Sequence, residues 1–203
     1  MGFAQGKPVF VNPCRIDSIK EASVIPEHYQ MDLDFPGRLY ICPKPRGHDW
    51  IEDEIRGFSD LGVQALVSLL TLDEALDFGL CEEKWFCEQF GIQFTQFPVD
   101  HQGLPDRFKS FFELSLSCLQ LLHQGKKIAV HSRAGIGRTS LFSASVLYFH
   151  GIWPEQALEK IEEARGYAIP DTEEQKDWIL GLERFTENIS DLVMDRSSRN
   201  LGE

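Results

Sequence analysis

The run His131-Ser132-Arg133-Ala134-Gly135-Ile136-Gly137-Arg138-Thr139 gathers the residue types that hold a phosphate group. Before it, Lys127-Ile128-Ala129-Val130 is a short apolar run that predicts a buried strand, and after it residues 139–149 are apolar and compatible with a helix. A glycine-containing loop between a strand and a helix turns several backbone N–H groups toward one point, and the positive end of the helix dipole adds to them. Such a nest binds a dianion. Gly135 and Gly137 permit torsions and a close approach that a side chain would resist. Arg138 can bond two oxygens of one phosphoryl group with its planar fork, a geometry lysine cannot copy. Ser132, Arg133, Ala134, Gly135, Ile136, Gly137 and Arg138 are therefore the expected phosphate-binding set, with phosphate or sulfate as occupant.

Ser132 stands where a nucleophile would stand in such a cup. A serine hydroxyl is neutral near pH 7 and needs an adjacent base before it attacks. No Gly-x-Ser-x-Gly elbow surrounds Ser132, and no Gly-Lys-Ser/Thr ending supports a nucleotide-binding P-loop. Five residues separate Ser132 from Arg138. With cysteine at 132, the stretch would read His-Cys, five residues, Arg-Thr. It then resembles the signature of the cysteine-dependent phosphatases, the protein tyrosine and dual-specificity family. The resemblance implies a thiolate nucleophile at position 132, where an electropositive cup would hold a thiol below its free pKa of about 8.5. It also implies that Thr139 stabilises that thiolate as a leaving group and that His131 orients the loop. Two expectations follow. One is a tyrosine or dual-specificity protein phosphatase carrying a Cys-to-Ser replacement at 132, inactive as it stands but still able to bind phosphate. The other is a natural pseudophosphatase that holds phosphoproteins, including phosphotyrosine proteins, without cleaving them.

Cleaving a phosphate ester needs a proton for the departing oxygen. The run Phe97-Pro98-Val99-Asp100-His101-Gln102-Gly103-Leu104-Pro105-Asp106 resembles the general-acid loop of the family, with Asp100 as the first candidate and Asp106 as the second. In the family a glutamine near the start of the last helix positions the hydrolytic water, and Gln175 is its match. Asp171 or Thr172 caps the same helix. No phosphotyrosine-recognition loop of the tyrosine-specific enzymes is visible, which points to the compact dual-specificity group. Ala134 and Ile136 stand where inositol-lipid phosphatases tend to carry lysine.

The elements that must position these residues alternate. Strands are predicted at 38–42, 64–70, 92–99 and 127–130, and helices at 50–61, 82–90, 105–124, 139–149, 154–165 and 171–185. This order predicts an α/β fold with a central, largely parallel sheet flanked by helices, the signature loop lying at the carboxyl end of a strand. Residues 39–70 share the layout of compact dual-specificity phosphatases, including those like cyclin-dependent kinase inhibitor 3. The expected organisation is an N-terminal arm at 1–30, a phosphatase-like domain at 31–187 and a polar tail at 188–203.

A 203-residue chain with 42% hydrophobic and 26% charged residues can bury a core without staples. A net charge of −12 argues against nucleic-acid binding and against an anionic membrane surface. No apolar stretch is long enough to span a bilayer, and residues 1–7 lack the apolar core of a secretory signal. The five cysteines (Cys14, Cys42, Cys81, Cys87 and Cys118) are odd in number and scattered. They fit reduced thiols in the cytoplasm, with no zinc ligand set and no cofactor.

Overall fold

The computed structural model describes residues 24–34 and 36–185, so most of the expected N-terminal arm, Cys14 and the polar tail lie outside the described residues. Five strands form one sheet: β1 (Tyr29–Gln30), β2 (Arg38–Pro43), β3 (Val63–Ser68), β4 (Gln93–Gln96) and β5 (Lys127–Ser132). Their spatial order is β1-β2-β5-β3-β4, and all neighbours are parallel except β1, which runs antiparallel to β2. The helices are α1 (Ile51–Asp60), α2 (Leu72–Asp77), α3 (Glu83–Gln89), α4 (Phe108–His123), α5 (Gly137–Phe149), α6 (Pro154–Arg165) and α7 (Glu173–Leu180), with short 3₁₀ turns at His48–Trp50 and Leu182–Phe185.

β5 lies at the centre, and Ile128, Ala129 and Val130 are fully buried. A strand covered on both faces reads as a continuous apolar run. Alternation then divides it: Ile128 and Val130 join the cluster under α4 to α7, while Ala129 joins Ile51, Ile55, Phe58 and Cys87 under α1 and α3. α5 is buried from Gly137 to Leu147. Its serines make this close packing possible, since Ser145 returns its hydroxyl to the Leu141 carbonyl at 2.8 Å. Phe111, Phe112 and Trp178 pack edge-on and stacked between α4 and α7. α6 opens on Pro154 and stops at Gly166, whose φ of +68° closes the helix in the left-handed region.

Three details differ from the sequence reading. β4 ends at Gln96, short of the expected Val99, although the amides of Phe97 and Val99 still donate to the Ser68 and Leu69 carbonyls at 2.8 and 3.2 Å. α4 begins at Phe108, not Pro105, because Leu104 turns toward the core and Pro105 is buried before the helix starts. α2 was not anticipated. It is held by a capping box in which the Thr71 hydroxyl accepts from the Glu74 amide and the Glu74 carboxylate accepts from the Thr71 amide.

Candidate active site

β5 delivers His131 and Ser132 to the carboxyl edge of the sheet, and α5 begins five residues after Ser132. Between them, Gly135 takes a φ of +65°, and a Cβ there would overlap the Cys42 carbonyl. Gly137 is equally confined, since a Cβ would collide with Asp171 Oδ2 and Gln175 Oε1. The amides of residues 133–136 donate to no acceptor among the described residues. The Gly137 amide donates to Asp171 Oδ2 at 3.1 Å. Free amides at the start of a buried helix are the donors that an anion site requires.

Arg138 is buried and spends two of its nitrogens on protein. Nη1 donates to Glu74 Oε2 at 2.6 Å, Val99 O at 2.9 Å and Leu69 O at 3.3 Å; Nη2 donates to Glu74 Oε1 at 2.9 Å. Its Nε–H is not among these donors. The guanidinium is thus clamped through Nη1 and Nη2, and its Nε–H has no acceptor among the described residues. Burial pushes the Glu74 carboxyl up, but hydrogen bonds from Arg138 and the Thr71 amide, with the charges of Arg138 and His101, outweigh it. Glu74 titrates below its ordinary value.

The loop carrying Asp100 is pinned from two sides. The Val99 carbonyl accepts from Arg138, and the Gly103 carbonyl accepts from Gln175 Nε2 at 3.1 Å. Asp100 is exposed at the apex, its carbonyl closing a turn with the Gly103 amide at 2.9 Å. Asp106 is placed differently: its side chain is 82% exposed and pairs with Arg107, with no contact to the signature loop. Gln175 is fully buried and reaches from the Asp100 loop to Gly137, with Oε1 left without a hydrogen-bond partner. The Thr172 hydroxyl caps α7 by accepting from the Gln175 amide at 3.2 Å, while Asp171 serves the neighbouring helix α5.

His131 lies behind the loop, fully buried, with Nε2 at 2.9 Å from Glu83 Oε1. The approach is short enough for an ion pair but off the hydrogen-bond direction. The Thr139 hydroxyl sits at 3.5 Å from the Ile136 carbonyl, a long contact, and no contact joins it to Ser132 among the described residues. Arg165 Nη2 donates to the Ala134 carbonyl at 3.1 Å and stacks on Tyr29, which fixes the back of the loop. Glu74, Glu83 and Arg165 are the site neighbours that the sequence reading did not name.

Cys42, Cys87 and Cys118 are buried, and burial pushes all three thiols up, Cys118 to about 12. None of them resembles an activated nucleophile. Among the described residues no cluster of His, Cys, Asp and Glu could hold a metal, and no helix is long and apolar enough to cross a membrane.

No family model matches the chain. Cyclin-dependent kinase inhibitor 3 of Mus musculus is 24% identical over 149 residues, covering 73% of this chain and 69% of that protein. A crystal structure of kinase associated phosphatase, in which serine replaces the catalytic-site cysteine, superimposes with a TM-score of 0.72 at 21% identity, over 79% of this chain and 96% of that one. PTPMT1 in complex with PI(5)P superimposes at 0.63 with 20% identity, over 82% and 98%. The chain is homologous to cyclin-dependent kinase inhibitor 3 and has the fold of the protein tyrosine and dual-specificity phosphatases. Its similarity is therefore to phosphatases, and the loop at the end of β5 lies at the edge of the sheet where α/β folds place ligands.

Proposed function

We propose that this chain is a tyrosine or dual-specificity protein phosphatase whose nucleophile position, 132, carries serine in place of cysteine, so that it binds phosphate without turning it over. The observation that carries the reading is the grip on Arg138. Glu74 and two carbonyls hold Nη1 and Nη2, leaving Nε–H and the loop amides for the equatorial oxygens of a phosphoryl group.

With a thiolate at 132, two steps follow. Sulfur attacks phosphorus in line and the ester oxygen leaves, taking a proton from Asp100. Water then attacks the phosphocysteine, giving its proton to Asp100 and releasing the thiolate and inorganic phosphate. Arg138 and the amides of 133–137 stabilise the equatorial charge in both steps. Gln175 supports the second step: anchored at the Asp100 loop, it brings a buried, unpartnered oxygen to Gly137, where a water could be oriented. Thr139 and His131 act on the thiolate and the loop rather than on substrate. With Ser132 the first step stops, because a hydroxyl in this cup has no base to ionise it.

The retained cup equally supports a natural pseudophosphatase that holds phosphoproteins, and the kinase associated phosphatase structure tolerates serine at its catalytic position. One experiment separates the two. Hydrolysis of p-nitrophenyl phosphate and of a phosphotyrosine peptide is compared for Ser132, Ser132→Cys, and Ser132→Cys combined with Asp100→Asn. Turnover restored by cysteine and slowed about 100-fold or more by the asparagine supports the disarmed phosphatase. A folded Ser132→Cys protein with no turnover would favour the binding module.

A further inference from the structure

We propose that a cationic cleft beside the signature loop reads an acidic side chain next to the phosphorylated residue of a peptide substrate; the inference rests on the protein-phosphatase reading above. The cleft encloses about 450 Å³, and Pro43, Lys44, Arg46 and Arg133 are among its lining residues. Its lining adjoins the signature loop through the backbone. Pro43 pairs with Ser132 in the register of β2 and β5, and the Lys44 amide donates to the Arg133 carbonyl at 3.4 Å.

Its charge runs against the rest of the molecule. In a chain of net charge −12, Lys44 and Arg133 have no carboxylate partner among the described residues. Both stand over the Phe78 ring, Lys44 Nζ at 4.7 Å and Arg133 Cζ at 5.7 Å from its centroid. The ring fixes two cations side by side without neutralising them. Arg46 is different, since it is already paired with the buried Glu54 at 2.6 Å.

The floor selects the kind of anion. Phe58 and the two prolines offer an apolar surface to the aliphatic stem of a side chain, and the two unpaired cations line the same cleft. Glu27 and Glu54 line the same cleft. Two resident carboxylates accept one further carboxylate beside two cations more readily than they accept a phosphate dianion. A glutamate or aspartate flanking the phosphoresidue meets these conditions, and a second phosphate on an inositol ring does not.

The test uses the Ser132 protein, which binds without cleaving. Calorimetry measures a set of phosphotyrosine peptides that differ only in whether one neighbour of the phosphotyrosine is Glu, Gln or Lys. Inorganic phosphate and inositol bisphosphate are measured beside them. The expected order is Glu over Gln over Lys, with about threefold to tenfold between Glu and Gln at low salt and a smaller gap at high salt. Lys44→Glu should invert the order and Lys44→Gln should flatten it, once each peptide affinity is divided by the same variant's affinity for inorganic phosphate to remove the general field, and unfolding curves show that both variants fold. Equal binding of all three peptides would overturn this inference alone. Phosphate binding without any phosphopeptide binding would overturn both this inference and the protein-phosphatase reading. Tighter binding of inositol bisphosphate than of the Glu peptide, lost in Lys44→Glu, would assign the cleft to a second phosphate and overturn the acidic-peptide proposal.

Discussion

Two carboxylates from the same stretch of chain, between β3 and β4, grip the two ends of the signature loop, and they do so differently. Glu83 on α3 meets His131 before Ser132; Glu74 on α2 meets Arg138 after it. The first pair is sealed, with side-chain exposures of 0% and 3%, and makes one short, off-axis contact. The second is bidentate at 2.6 and 2.9 Å, and its carboxylate is 17% exposed. A sealed pair with one contact can anchor a strand end but cannot reach a ligand. A bidentate pair at the rim fixes the plane of a guanidinium whose Nε–H has no protein acceptor among the described residues. The difference separates holding the loop from preparing it.

That division is tested hardest at Glu83. Glu83→Ala removes the carboxylate in contact with the fully buried His131 ring, and stranding a buried polar group costs about 1–3 kcal/mol. Urea denaturation should show a loss of that order, while the Ser132 protein that remains folded binds inorganic phosphate with little change. A stability loss below about 1 kcal/mol would make the pair a bystander. A large loss of phosphate affinity at unchanged stability would mean that Glu83 prepares the cup as well.

The counterpart is Glu74→Ala. It frees Arg138 from its clamp while the Leu69 and Val99 carbonyls still hold Nη1. In the Ser132→Cys background, kcat/KM for p-nitrophenyl phosphate should fall about tenfold, which corresponds to about 1.4 kcal/mol. Stability should change by less than in Glu83→Ala. The informative contrary result is tighter phosphate binding. Glu74 would then be competing with the ligand for Arg138, and the comparison between the two pairs would have to be redrawn.

The two pairs also mark what a sequence can and cannot reveal here. Residues 132–138 form a local object, one loop between β5 and α5 with its arginine, so spacing alone exposes the stretch on which the proposed cup rests. The buried strands were equally legible, since Ile128, Ala129 and Val130 are apolar for a reason that acts on every residue of a central strand. Glu74 lies 64 positions from Arg138, and nothing local announces the pairing. α2 is also silent to periodicity: it is six residues long, and its apolar residues Leu72 and Leu76 are exposed, so no buried stripe marks it. The one available signal was Thr71-x-x-Glu74, the spacing of a capping box. Asp171 shows the opposite limit. Of the two residues that could cap α7, Thr172 takes that place, and Asp171 is carried to the Gly137 amide by the packing of α7 against α5.

The smallest effect is also the one that isolates Glu74 from Glu83, because it depends on titration. Glu74 titrates below its ordinary value in the folded protein: burial opposes this, and the bonds from Arg138 and Thr71 exceed it. A carboxyl with a depressed folded pKa contributes stability above its unfolded pKa, about 4.3, and loses it as pH falls through the folded value. The stability difference between the parent and Glu74→Gln should therefore be constant from neutral pH down to about pH 5 and shrink below that as the parent's carboxylate protonates. Denaturation curves of both proteins through this range measure it. A difference that stays flat into acid would mean that Arg138 gains nothing from the charge of Glu74 and uses it only as a hydrogen-bond acceptor. The orientation of the guanidinium would then rest on geometry alone, and a glutamine would serve the cup as well as the glutamate does.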